Sequence, residues 1–180
     1  MKFHPKKLFM KTIKLLLPLF LVLMVFSCTK TEYVENPNEE FDLKASKIEQ
    51  VGGLFQAIAR QPEAYEVLMN ATKLIYNDYT ELLPLSDKAI VQRGKARGAA
   101  FSSLFDAIAR QPEAYQVLDD AATVFLGPYN ADEISDELLE ITKAYCVTSL
   151  NESIARQPEA FPSFNAVCKK YLNFEITIPE

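Results

Sequence analysis

The sequence predicts an all-α fold: three tandem helix–turn–helix repeats, about six helices, stacked as a short α-solenoid or rolled into a compact helical bundle. Three observations predict it. The heptapeptide IARQPEA is written three times, at Ile58–Ala64, Ile108–Ala114 and Ile154–Ala160. Its flanks repeat with it: Gly53–Tyr76 and Ser103–Leu126 agree at 14 of 24 columns, and Ser149–Leu172 is a more diverged third copy. The offsets are 50 and 46 residues, the range of stacked supersecondary units. Apolar residues on both sides of each heptapeptide recur at helical spacing.

The elements follow in chain order. Before the heptapeptide, one apolar face is formed by Val51, Leu54, Phe55 and Ile58, then Phe101, Leu104, Phe105 and Ile108, then Val147, Leu150 and Ile154. After it, a second face is formed by Tyr65, Leu68, Ala71, Thr72 and Ile75, then Tyr115, Leu118, Ala121, Ala122 and Phe125, then Phe161, Phe164, Val167, Cys168 and Tyr171. Such spacing buries one side of a helix. Ser86 is the expected N-cap of the long helix in the second unit. Gly127-Pro128 breaks the helix before it. Ala131–Glu140 is expected to open the long helix of the third unit, where its acids suit the positive helix end. The helical domain spans residues 44–172, in units of about 44–84, 85–128 and 129–172.

Each letter of the heptapeptide has a local structural role. Proline disfavours the helical region for the residue before it and costs ~3 kcal/mol inside a helix. At the first position of a new helix it costs little. Arg60, Arg110 and Arg156 are therefore expected to end one helix and Pro62, Pro112 and Pro158 to start the next. Arginine then sits at a negative helix end, and Glu63, Glu113 and Glu159 sit at positive ones, each worth roughly 0.3–1 kcal/mol. The small alanines let two helices meet. By this argument Pro112→Ala lets the flanking helices run together. The rival reading is a ladder of the three arginines that grips an anion. Since every arginine comes with a glutamate, Arg–Glu pairs within or between units are the favoured expectation.

The N-terminus is a different kind of sequence. Met1–Lys14 carries five lysines and no acid, and Leu15–Phe26 is wholly apolar with Pro18 inside it. Twelve residues fall short of the ~20 a membrane span needs. The pattern is that of a secretory signal, starting at Met1 or Met10, or of one uncut anchor. Val25-Phe26-Ser27-Cys28 resembles the lipobox of bacterial lipoproteins. The resemblance covers the first 28 residues and implies removal of residues 1–27 and acylation of Cys28, including a palmitate-type chain on its amine. Several buried acyl chains at ~0.8 kcal/mol per CH₂ anchor durably. Thr29, where the family's sorting rule reads Asp as retention, implies the outer membrane of a Gram-negative cell. Thr29–Leu43 is polar and acidic, and is expected to be a tether.

Charge and composition exclude several chemistries. The leader holds five of the 19 basic residues and none of the 24 acids, so the remainder has 14 bases against 24 acids, a net charge of −10 against −5 for the whole chain. That disfavours nucleic acid, whose binding neutralises phosphates. The single histidine, His4, lies in the leader. A processed chain has no His-based triad, Cys–His dyad or His-ligated zinc.

Cys146 and Cys168 are the remaining cysteines. Folded at Gln157-Pro158, they fall at nearly equal height on antiparallel helices. A disulfide and a pair of buried thiols both fit; no Cys-x-x-Cys redox motif is present. Arg93–Gly98, RGKARG, lacks phosphate-loop spacing and reads as a solvated helix face with two small residues for close packing. Asp132–Glu140 lacks the alternating-oxygen calcium loop. The C-terminal segment 173–180 alternates Phe174, Ile176 and Ile178 with polar residues, a strand-like pattern. A tail capping the last helix pair is favoured over a strand offered to a partner.

The leading expectation for function is a non-enzymatic, lipid-anchored envelope module that binds an envelope protein or surface component, with no cofactor and no metal. The alternatives are a carboxylate-based hydrolase acting on glycan and a small-ligand carrier with a pocket between repeats lined by Tyr65, Tyr115 and Phe161.

Overall fold

The computed structural model describes residues 37–75 and 85–177. The segment expected to be a signal, Cys28 and most of the expected tether, as well as Ile178, lie outside the described residues. The described residues form six α-helices, in order: α1 (Pro37–Arg60), α2 (Tyr65–Ile75), α3 (Asp87–Arg110), α4 (Tyr115–Leu126), α5 (Asp136–Arg156) and α6 (Phe161–Leu172). No strand occurs among the described residues.

The long helices α1, α3 and α5 lie side by side and parallel in one layer, with α3 in the middle. Their register repeats the sequence period. Gln56 Nε2 donates to the Ser103 carbonyl at 2.7 Å, and Ser149 Oγ to the Ser102 carbonyl at 3.1 Å. Both pairs are 47 residues apart, close to the repeat spacing, so near-equivalent residues stand abreast. The repeats are therefore stacked. Small residues allow the approach. A Cβ on Gly98 would lie 2.4 Å from Tyr145 Cβ and 2.9 Å from the Thr142 carbonyl oxygen. A Cβ on Gly52 would lie 2.6 Å from Ser103 Oγ. The backbones of neighbouring long helices come this close only without those side chains.

The short helices form the second layer. Helix α4 leans on both α1 and α3, and α6 on both α3 and α5. Tyr171 and Thr123 share a hydroxyl hydrogen bond at 2.8 Å, and Lys170 donates to Thr123 Oγ1 at 2.9 Å, tying α6 to α4. Between the layers lies one core containing Phe55, Ile58, Phe101, Leu104, Phe105, Ile108, Leu118, Leu126, Phe164 and Tyr171, all inaccessible to solvent. Burying each such apolar side chain contributes about 1.5–3 kcal/mol. Phe105 meets Phe164 edge-on with centroids 6.0 Å apart, and Phe101 meets Tyr171 at 5.8 Å.

Three local expectations need correction. Helix α1 begins at Pro37, inside the segment expected to be tether. Proline suits a first helical turn. Helix α5 begins at Asp136, not Ala131, because Ala131–Glu133 is a 3₁₀ turn and Ser135 Oγ accepts the Leu138 N–H at 3.3 Å. RGKARG is mostly buried rather than a solvated face: Arg93 and Arg97 are 3% and 1% exposed, and of its charged residues Lys95 alone faces solvent. The N-cap at Ser86 is observed, its Oγ accepting the Ala89 N–H.

The tail folds back on α6. Asn173 adopts a left-handed conformation at φ 50° that turns the chain. Its N–H and that of Phe174 both donate to the Cys168 carbonyl. Ile176 N–H donates to Asn165 Oδ1 at 3.0 Å, and Lys169 Nζ pairs with Glu175 at 2.6 Å. Phe174 and Ile176 rest against the core. That ion pair holds the Glu175 carboxyl below its ordinary range.

Candidate functional site

The three heptapeptide corners superimpose in geometry. Gln61, Gln111 and Gln157 have φ of −141°, −139° and −141° with ψ of 74°, 70° and 72°. Each glutamine N–H closes the preceding helix (Gln111 on the Ala107 carbonyl at 3.0 Å), and its carbonyl accepts the alanine N–H of the next turn (Ala114, 3.0 Å). Each proline opens a 3₁₀ turn that runs straight into the next helix. The backbone at glutamine has left the helical region, which proline disfavours for its predecessor.

The arginines of the corners do not pair as expected. Arg110 Nη2 meets Asp106 Oδ2 at 2.7 Å, one turn back on its own helix, and Arg156 Nη2 meets Asp106 Oδ1 at 2.7 Å across the unit boundary. Arg110 also donates to Gln56 Oε1 at 3.3 Å in the unit before. Each arginine thus reaches the same position of the preceding unit. Position 56 in unit 1 holds Gln where unit 2 holds Asp106, which is why carboxylate pairing occurs at the second boundary. Glu63, Glu113 and Glu159 are exposed at the first turns beyond the corners. A helix end orients them outward, whereas an arginine can reach sideways to the next helix. Arg60, with no unit before it among the described residues, is exposed.

Cys146 and Cys168 are both fully buried and are free thiols. Burial pushes the Cys146 thiol up to about 12, with Arg97 partly opposing it. Burial raises Cys168 as well, and neighbouring Cys146 adds to the shift. The spacing argument brought them together correctly. Thiols held protonated are poor nucleophiles and poor metal ligands.

Tyr65 and Tyr115 pack partly against the core, and Phe161 is half-buried. Burial raises both tyrosine hydroxyls, helped by Asp120 at Tyr65 and Asp119 at Tyr115. The pocket expected there is not the cleft that the long-helix layer forms.

That cleft, of about 460 Å³, opens on the outer face of α1, α3 and α5. Ala45, Ala96 and Ala99 make its floor; Asp42, Ser46 and Glu49 of α1, Gln92 and Lys95 of α3, and Tyr145 of α5 make its rim. It exists because alanines and glycines on α3 leave the helices close but the groove between them shallow-sided. Tyr145 stands half-exposed against Gly98, and the Lys95 ammonium lies 5.6 Å from its ring centroid. Two carboxylates, one ammonium and an aromatic ring can hold a polar partner with an apolar anchor. The run Gly94–Ala100 signalled close packing, but not which helices would flank it.

Arg97 is the other residue that periodicity missed. Its Nη2 donates to the Tyr171 carbonyl at 3.0 Å and its guanidinium lies 5.0 Å from the Phe101 centroid. It joins α3 to α6 through the core. Among the described residues no three His, Cys, Asp or Glu side chains cluster as metal ligands, and no helix is long and apolar enough to cross a membrane. Comparison with protein-family models, curated proteins and solved structures finds no match to the chain.

Proposed function

We propose that the protein is a non-enzymatic lipoprotein of the bacterial cell envelope, anchored through Cys28, that holds a protein partner against the outer face of its long-helix layer. The cleft across α1, α3 and α5 carries the reading. No single repeat makes it; the rim draws Asp42 and Glu49 from unit 1, Lys95 from unit 2 and Tyr145 from unit 3. An aromatic side chain ringed by polar groups is the usual composition of a polypeptide-binding surface. The lipobox-like Val25–Cys28 and the acidic remainder of the chain supply the envelope half of the proposal.

Crosslinking in intact envelopes, followed by recovery of the chain, tests it. The expected result is a distinct polypeptide recovered with the parent chain and lost with Tyr145→Ala or Lys95→Glu. Alanine keeps the Cβ that packs on Gly98, so the helix pair is retained. Recovery indifferent to both substitutions overturns the binding reading. Cys28→Ala tests the anchor independently: it is expected to move the protein from the membrane to the soluble fraction.

A further inference from the structure

The short helices differ in what covers them. In units 2 and 3 the leading flank of the short helix is closed: Ala121 and Phe125 of α4 are 0% and 2% exposed, and Val167 and Tyr171 of α6 are 1% and 0%. Helix α4 owes this to α1, the long helix of the unit before it. Among the described residues no unit precedes that of helix α2. Its equivalents of Ala121 and Phe125 are Ala71 and Ile75, both exposed, Ile75 by 67%; beside them Val67 and Leu74 are exposed by 72% and 82%, where unit 2 has half-buried Val117 and Val124 at 39%. The repeat interface therefore continues onto α2 and ends there uncovered.

The other end of the stack is closed. Asp119 and Thr123 of α4 receive Lys170 of α6. Their equivalents on α6, 46 residues on, are Asn165 and Lys169, and these are engaged by Ile176 and Glu175 of the tail. The tail occupies the place of a fourth unit, which blocks head-to-tail addition of another chain.

We propose that the open flank of α2 docks a second copy of this chain about a two-fold axis, antiparallel, with the axis passing near Asn70 and Ala71. The charges on α2 select this arrangement. Glu66 and Lys73 are exposed and seven residues apart, as are Val67 and Leu74. Antiparallel pairing sets Val67 against Leu74 of the second copy and Glu66 beside its Lys73; parallel pairing would set like charges together. An isologous contact of this kind closes on itself and forms a dimer rather than a filament. Because α2 is only 11 residues long, its flank buries less than the ~1,200 Å² of standard stable interfaces. The dimer is thus weak and concentration-dependent. This inference is independent of the envelope partner proposed above.

Disulfide trapping of the full chain in cells tests it. Ala71→Cys is expected to yield a disulfide-linked dimer under mild oxidation, while Thr148→Cys, on the exposed side of α5, and the parent chain yield none. Adding Leu74→Glu to Ala71→Cys is expected to abolish the dimer. Adding Glu66→Lys is expected to diminish it, and Lys73→Glu together with Glu66→Lys to restore it. All these positions are exposed, and far-UV circular dichroism of the purified variants is expected to match the parent. No dimer from Ala71→Cys, a dimer that survives Leu74→Glu, failure of the double charge reversal to restore it, or trapping of a different polypeptide or of the chain's own N-terminal segment each overturns the proposal.

Discussion

Arg156 reaches back fifty residues to Asp106, its Nη2 2.7 Å from Oδ1, while Arg110 holds Oδ2 at the same distance. One carboxylate therefore joins the corners of units 2 and 3. The arginines are 53% and 51% exposed, so water weakens both pairs to about 0.2–1 kcal/mol each. Asp106→Asn is expected to lower Tm by about 1–4 °C at low salt, and by less in high salt, where exposed pairs are screened. Thermal melts at two ionic strengths measure it.

Gly98 and Gly53 offer opposite outcomes from the same change. A Cβ at Gly98 meets the Thr142 carbonyl and Tyr145, whereas one at Gly53 meets nothing within 4 Å. Alanine is favoured over glycine in a helix by up to ~1 kcal/mol. Overpacking costs about 1–3 kcal/mol. Gly53→Ala is expected to raise the urea midpoint and Gly98→Ala to lower it, since α3 and α5 cannot separate without losing their shared core.

Pro112→Ala removes the local bar to a continuous helix. Fusing α3 and α4 would regain hydrogen bonds worth about 1 kcal/mol each. It would also expose Phe105, Ile108, Leu118 and Phe125, at 0–2% exposure now, at about 1.5–3 kcal/mol each. Burial wins. The variant is expected to keep its corner and its helix content and to lose at most ~1 kcal/mol, through a freer unfolded chain. Circular dichroism and small-angle scattering would reveal a fused rod if burial did not hold the bend.

The buried thiols give a pH signature. Both titrate above the ordinary cysteine range, Cys146 at about 12. Between the unfolded value of about 8.5 and the folded ones, the native state holds protons that the unfolded chain has released. Stability therefore falls as pH rises through that window and is indifferent to these groups below it. Under reducing conditions the urea midpoint of the parent is expected to drop more between pH 8 and pH 10 than that of Cys146→Ala/Cys168→Ala. Both thiols are expected to resist alkylation until the protein unfolds.

Much of the fold was legible because its cause is local. Proline after glutamine sets the corner, Ser86 caps a helix, and apolar spacing marks the buried face of each helix. The equal heights of Cys146 and Cys168 followed from counting residues away from a known turn. The misreadings share a cause. Arg93 and Arg97 look like surface cations in the sequence; they are buried because Gly94 and Gly98 beside them draw α5 against α3. Asp106 took the arginines because a neighbouring helix brought it within reach, which no spacing within one repeat encodes.

By itself the sequence determined that the chain turns three times at the same heptapeptide, and which side of each helix avoids water. Local sterics and hydrogen bonding act within a few residues, so they can be read from the order of letters. Only the tertiary structure decided which helices lie abreast, that Asp42, Lys95 and Tyr145 share one cleft, and that the flank of α2 is left open while the tail closes α6. Those outcomes depend on packing between residues some fifty positions apart, where the close approach of two backbones, rather than the preference of either segment, selects the neighbour.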